Sequence, residues 1–373
     1  MTAKLIRNAY EAGLTMTAVL LSWGAALALE GAAGLHTDVL VLAVALTLTL
    51  ANTQRTADTR RRLMSLVLLP ATAAASVFVG RLLASHYTAG AAVYTAGMAL
   101  AIWIRRFGPA ATKAGTLLAL PLVALLVVPG PALPSQAQSE LVTWAWSALI
   151  GFMACCSVWL VQALGDRYGP WRAAPAPAPP GRRSRLHPRP STRMALQMAA
   201  AIASAFVLGR FLFDHHWPWA VLTAYVAASG NRGRTDVLRK GVERLAGACV
   251  GTLLATGVAE AGITGHTAVA LMFAVLTVAL WLRPLNYAYW AAGMTTALSL
   301  LLGYFGQNAE SLLPTRLAAI AVGATLAVAS AWWLLPVPGR RATPRAQALP
   351  SETGTANAPL VPGSSPKDTA RSS

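Results

Sequence analysis

Arg316 stands at the start of the last long apolar stretch of the chain, six residues after Glu310. A guanidinium in that place has two open roles: it snorkels outward and fixes the depth of a helix, or it faces a pathway and attracts an anion. Arg81 and Arg210 sit at similar ends of other apolar stretches. Together the three would form an electropositive ring that draws a carboxylate, the general logic of anion selectivity. Glu243 and Arg244 adjoin about one turn before Gly247, where another apolar stretch begins. Near a helix end both can snorkel; turned to a pathway, Glu243 is a candidate proton carrier and Arg244 a second anion contact.

The other polar groups carry weaker signals. Asp214, His215 and His216 could ligate a metal, yet three adjacent residues seldom converge on one ion, and no metal or cofactor is expected. His36, His86, His215, His216 and His266 fall at outer loops or helix ends, where titration by external pH is open to each. Cys155, Cys156 and Cys249 lie inside apolar stretches without metal-ligand spacing and read as packing residues. No phosphate-cradling Gly-x-x-x-x-Gly-Lys is present, so an ATP-driven pump would need another subunit. No Ser-His-Asp arrangement follows from spacing either, and the chain is not read as an enzyme.

Composition says what must position these groups. The 373 residues are 55% hydrophobic and only 12% charged, with a mean hydropathy of +0.52, whereas soluble domains carry about 25% charged residues. A soluble globule is excluded. Twelve apolar segments follow one another, from Gly13–Gly34 to Thr315–Pro336. About 20 apolar residues cross a bilayer as helix, so most segments qualify, while the second (Val39–Asn52) and eighth (Trp217–Ser229) are marginal. The fold class is an all-α polytopic membrane protein with both faces of the bilayer in play.

A net charge of +17 would suggest a nucleic-acid partner if the basic residues lay on a polar folded face. They lie instead between apolar segments, as in "GNRGRTDVLRKGVERLAGACVG" from Gly230 to Gly251, and no nucleic-acid partner is expected. Basic residues near helix ends are retained on the cytoplasmic side. Counted loop by loop, all but Arg81, Arg210 and Arg316 of the 30 Lys and Arg fall on one side. Both termini are then cytoplasmic, the membrane is the inner or plasma membrane, and the basic loops attract anionic headgroups. The first apolar segment is too long for a cleavable signal peptide and reads as a membrane anchor.

The chain also repeats. Asn52, Arg55, Thr56, Arg60 and Arg61 match Asn231, Arg234, Thr235, Arg239 and Lys240 at one constant offset. "AIWIR" from Ala101 matches "ALWLR" from Ala279, and Gly115 falls on Gly293 at nearly the same offset. Two halves of six helices are implied, residues 1–164 and 194–337, each entering and leaving on the cytoplasmic side as parallel repeats. Between them, 165–193 reads as a Pro, Ala and Arg-rich linker, and 338–373 as a disordered tail.

The second half resembles the fusaric acid resistance protein-like (FUSC) membrane proteins, which include aromatic acid exporters. The resemblance is carried by "HWPWAVLTAYVAAS" from His216, a basic turn, "KGVERLAGACVGTLLA" from Lys240, and "TRLAAIAVGATLAVASAWWLLP" from Thr315. Arg244, Gly247, Gly251 and Arg316 occupy the family's positions. Gly247 and Gly251 are expected to let a neighbouring helix approach closely. The first half departs from the pattern, with Ser65, Leu68 and Thr72 where Arg244, Gly247 and Gly251 would fall, and is expected to be a degenerate copy.

Trp217, Trp219 and Tyr225 crowd the eighth segment. An interface belt accounts for the tryptophans. Short segments at matching positions of two repeats also point to a binding region in transporters, where Thr223 and Tyr225 would offer a hydroxyl and a ring to an aromatic acid. The resemblance thus implies an exporter of small organic or aromatic carboxylic acids, driven by a proton gradient since no nucleotide motif is present. Its partners would be the bilayer, an organic anion and another copy of the chain in a homo-oligomer. Two alternatives stay open: a passive anion channel, and a non-transporting scaffold or envelope-assembly protein that uses the basic loops and tail.

Overall fold

The computed structural model describes residues 2–33, 38–54, 59–127, 140–169, 190–229, 234–263, 265–304 and 309–334. Among them are twelve α-helices and no strand. The first six are α1 (Thr2–Ala33), α2 (Asp38–Gln54), α3 (Thr59–Ser85), α4 (Tyr87–Trp103), α5 (Pro109–Val127) and α6 (Glu140–Tyr168). Then come α7 (Pro190–Phe213), α8 (Trp217–Ala228), α9 (Arg234–Glu260), α10 (Gly265–Leu282), α11 (Tyr287–Tyr304) and α12 (Ala309–Trp333). Single 3₁₀ turns, Ile104–Phe107 and Asp214–His216, join α4 to α5 and α7 to α8. The tail from 338, most of the expected linker, the loop residues Arg55 and Arg232, and the side chain of Glu310 lie outside the described residues.

Helix is what an apolar chain adopts in lipid, because each N–H then finds its carbonyl within the segment. Eight of the helical stretches are long and apolar enough to cross a membrane, the run from Ser191 to Ala228 counting as one. Shorter apolar helices cover Leu40–Ala51 and Ala110–Leu126. Helix extends beyond several apolar segments. α3 begins at Thr59 and α9 at Arg234, so much of the basic sequence read as loop is helical. Arg and Lys are good helix formers, and the first turns of α9 carry favourable i,i+4 pairs, Arg239 with Glu243 at 2.7 Å and Lys240 with Asp236 at 3.9 Å. Likewise α6 runs to Tyr168 and α7 starts at Pro190, shortening the linker at both ends.

The helices pair in a recurring way. α1 packs on α2 and α6, and α7 on α8 and α12. α3 packs on α5 and α6, and α9 on α11 and α12. α2 meets α6 as α8 meets α12, while α4 meets α5 as α10 meets α11. Close crossings depend on missing side chains: a Cβ on Gly115 would run into the backbone of Ala101, and one on Gly293 into Ala279.

Contacts on two sides join the first six helices to the last six, α4 against α7 together with α5 against α8, and α1 against α10. The α4–α7 seam is closed by rings. Phe206 lies 5.3 Å from Tyr94 and 5.1 Å from Trp217, with Tyr87 at 5.5 Å from Trp217. The Tyr87 hydroxyl donates to the Phe206 carbonyl at 2.8 Å. Along the other seam Trp281 donates to the Leu5 carbonyl at 3.1 Å, and Trp23 meets Phe273 edge-on at 5.4 Å. Beside it an apolar cavity of about 90 Å³ opens between α1, α2, α10 and α11, lined by Trp23, Val44, Met272 and Met294 among others.

Candidate anion site

Small residues bring four helices of the second half together. A Cβ on Gly247 would meet the backbone of Ala288 and Ala292, and one on Gly251 that of Ala292, so α9 and α11 touch backbone to backbone. Gly323 does the same for α12 against Ala220 and Thr223 of α8. The contact is pinned by Thr296, whose hydroxyl donates to the Gly251 carbonyl at 3.0 Å. In a medium without a hydrophobic drive, such close packing plus hydroxyl bonds holds helices side by side.

Two arginines project into this four-helix junction. Arg316 of α12 is only 5% exposed. Its Nη1 donates to Ser299 Oγ of α11 at 3.0 Å, and its guanidinium carbon lies 5.4 Å from the ring centre of Trp219 on α8. Arg244 of α9 donates from Nε to Thr223 Oγ1 at 3.2 Å and from Nη1 to the Tyr287 hydroxyl at 3.3 Å. Tyr287 opens α11, so Arg244 is level with that end of α11 although α9 extends ten residues further toward its own start.

Neither arginine has a carboxylate partner among the described residues. Glu243, the adjacent acid, turns away and accepts from Arg239 Nε at 2.7 Å. Among the described residues, then, the partners of the two cations at the crossing of α8, α9, α11 and α12 are hydroxyls and an indole, with Arg316 buried and Arg244 half-buried. Burying a charge without a counter-charge is strongly unfavourable, so the arrangement is poised to take up an anion.

The remaining candidates go elsewhere. Arg210 is exposed and paired with Asp214 at 2.6 Å, and lies over the Tyr87 ring at 5.5 Å; it does not converge on Arg316. Tyr225 packs against the core containing Tyr94 and Phe206, away from its neighbour Thr223. Asp214 takes His215 at 3.1 Å while His216 stacks on Trp219 at 5.0 Å, so the three adjacent residues point to different partners. Among the described residues no group of three or more His, Cys, Asp or Glu could hold a metal ion. Ser299 and Tyr287 were not singled out in the sequence, though both hold an arginine. Their one signal was polarity within "YAYWAAGMTTALSLLLGY".

Residues 198–330 match the model of the fusaric acid resistance protein-like family. The matched segment is about a third of the chain. It contains every residue of the two-arginine junction: Trp219, Thr223, Arg244, Tyr287, Ser299 and Arg316. No curated protein matches the chain, and no solved structure does. Its helices, eight stretches of them long and apolar enough to cross a membrane, make this a multi-pass membrane protein.

Proposed function

We propose that the protein exports small organic or aromatic carboxylic acids across the inner membrane, using Arg244 and Arg316 as the cationic station through which the carboxylate passes. The observation that carries this reading is the burial of Arg316 among neutral partners. A guanidinium offers a planar fork matched to a carboxylate, and the Trp219 ring beside it offers a stacking surface for an aromatic body. Ser299, Thr223 and Tyr287 hold the two forks when no substrate is there.

The architecture proposed is twelve spans in two parallel six-helix repeats, with both termini cytoplasmic. It is supported by the matching helix pairings of the two halves and by the paired contacts of Gly115 on Ala101 and Gly293 on Ala279. In this arrangement α1 corresponds to α7 and α4 to α10, so the α1–α10 and α4–α7 seams exchange about one axis along the membrane normal. The arginine station belongs to one half only. Export against a gradient would draw on protons, since the sequence has no nucleotide-binding loop; Glu243 would have to leave Arg239 to carry them.

The test is efflux of a panel of aromatic carboxylates from proteoliposomes, wild type against Arg316→Gln, with and without an imposed pH gradient. Flux that needs the gradient and falls at least about tenfold in the variant is the expected result, from the loss of a charge-assisted bond. Flux driven by voltage without a pH gradient would replace the exporter with a passive channel through the same arginines. No flux of any acid from folded protein would overturn both.

A further inference from the structure

We propose that His216 is a positioning residue for the arginine station, setting how tightly Arg316 holds an anion according to the pH at the α7–α8 end of the bundle. This rests on the anion reading above. Trp219 is shared: on it lie the Arg316 guanidinium carbon at 5.4 Å from the ring centre and the His216 imidazole at 5.0 Å, tilted by 40°. One indole thus has a permanent cation and a titratable ring as its two neighbours. Imidazole is the side chain whose charge changes between about pH 5 and 8.

Neutral, His216 stacks on Trp219 as an aromatic and leaves the negative ring face to Arg316. Protonated, it brings a second positive charge to the same indole, within about 10 Å of the guanidinium, the sum of the two ring distances. That charge repels Arg316 and raises the positive potential at the station. The other charged groups at this turn largely offset one another. Arg210 of α7 is bonded to Asp214, and Asp214 also holds His215. Among the described side chains, Arg316 on α12 is the charged group that shares a ring with His216. Asp214 itself adopts φ of +44°, an unusual backbone state for a residue with a side chain, two residues before His216, which directly precedes α8.

A unit charge at this distance, in the effective permittivity near a protein surface and reduced by screening, changes anion affinity about three- to tenfold. The experiment measures salicylate affinity, whose carboxylate stays ionised throughout, for protein in nanodiscs between pH 5.5 and 8. Wild type should bind about three- to tenfold more tightly at the acid end; His216→Gln should be flat and close to the wild-type value at pH 8, while His215→Gln keeps the slope. A slope that survives His216→Gln would overturn the proposal.

A ligand-free arm uses nuclear magnetic resonance of labelled histidines, with the His216 signal assigned by its loss in His216→Gln. Removing a nearby cation favours the protonated ring, so Arg316→Gln should raise the proton affinity of His216. An unmoved His216 titration would overturn the coupling even where salicylate binds. Absence of salicylate binding at every pH, with the coupling intact in the ligand-free arm, would overturn the anion reading on which the proposal stands.

Discussion

A buried guanidinium with a serine, an indole and another arginine for company is a poor way to make a stable protein. Replacing a buried charge by a neutral group of similar shape is often neutral or stabilising. Arg316→Gln and Arg316→Met are therefore expected to unfold at the same temperature as wild type or a few degrees above it, while losing carboxylate flux. Thermal unfolding in detergent, run beside the flux assay, checks this. A large drop in unfolding temperature would assign Arg316 to structure rather than transport. At this scale Arg316, Arg244, Thr223 and Trp219 were legible, because charge and aromatic crowding are rare in apolar sequence. Ser299 and Tyr287 were not. Membrane-helix hydroxyls commonly bond their own helix, as Thr95 does with the Ala91 carbonyl at 2.7 Å and Ser204 with Ala200 at 2.7 Å. Ser299 makes that same bond to Thr295 at 2.9 Å while also accepting from Arg316, and nothing in the sequence distinguishes the two uses.

The helix that holds the station in register is α9, and its glycines are not equivalent. Gly251 lies against the Ala292 carbonyl, so Gly251→Val has backbone to push aside on α11. Overpacking of this kind costs about 1–3 kcal/mol. Gly257, farther along the same helix, has nothing within 4 Å of where its Cβ would be. Gly257→Val is thus the control: it should leave stability and flux near wild type while Gly251→Val lowers both. Equal behaviour of the two would mean that the α9–α11 crossing does not govern the site. The twelve apolar segments anticipated each α-helix, and the spacing of Gly247 and Gly251 anticipated a close crossing. Helix ends were less readable. Hydropathy falls where the chain meets charged residues, but the backbone of "RTDVLRK" continues as helix, since its charges pair along the helix surface.

For the molecule as a whole, the test of orientation is which side of the membrane each end of the bundle meets. With the native cysteines replaced, single cysteines at the exposed positions His86 and Phe107 mark opposite ends of α4 and its 3₁₀ extension. Under the proposed topology, which puts Arg105 and Arg106 on the retained side, a membrane-impermeant maleimide added to intact cells should label His86→Cys at once and Phe107→Cys only after permeabilisation. The reverse pattern would invert the topology. At this level the sequence offers an expectation, through charge asymmetry and the internal repeat, that this labelling tests. It carried nothing about the seams, since the rings that close α4 against α7 look like any other apolar residues until the helices are set side by side.

The void beside α11 has a mechanical meaning. Met294, Ala297, Leu298 and Leu301 give that helix one flank facing empty space, whereas Gly247 and Gly251 press α9 against the opposite flank. The helix is soft on one side and rigid on the other. A side chain enlarged on the cleft flank, as in Ala297→Leu, has room to turn into the opening, whereas one enlarged on the α9 flank meets backbone. The Ser299 contact of Arg316 is thus carried by a helix that tolerates bulk on one flank alone.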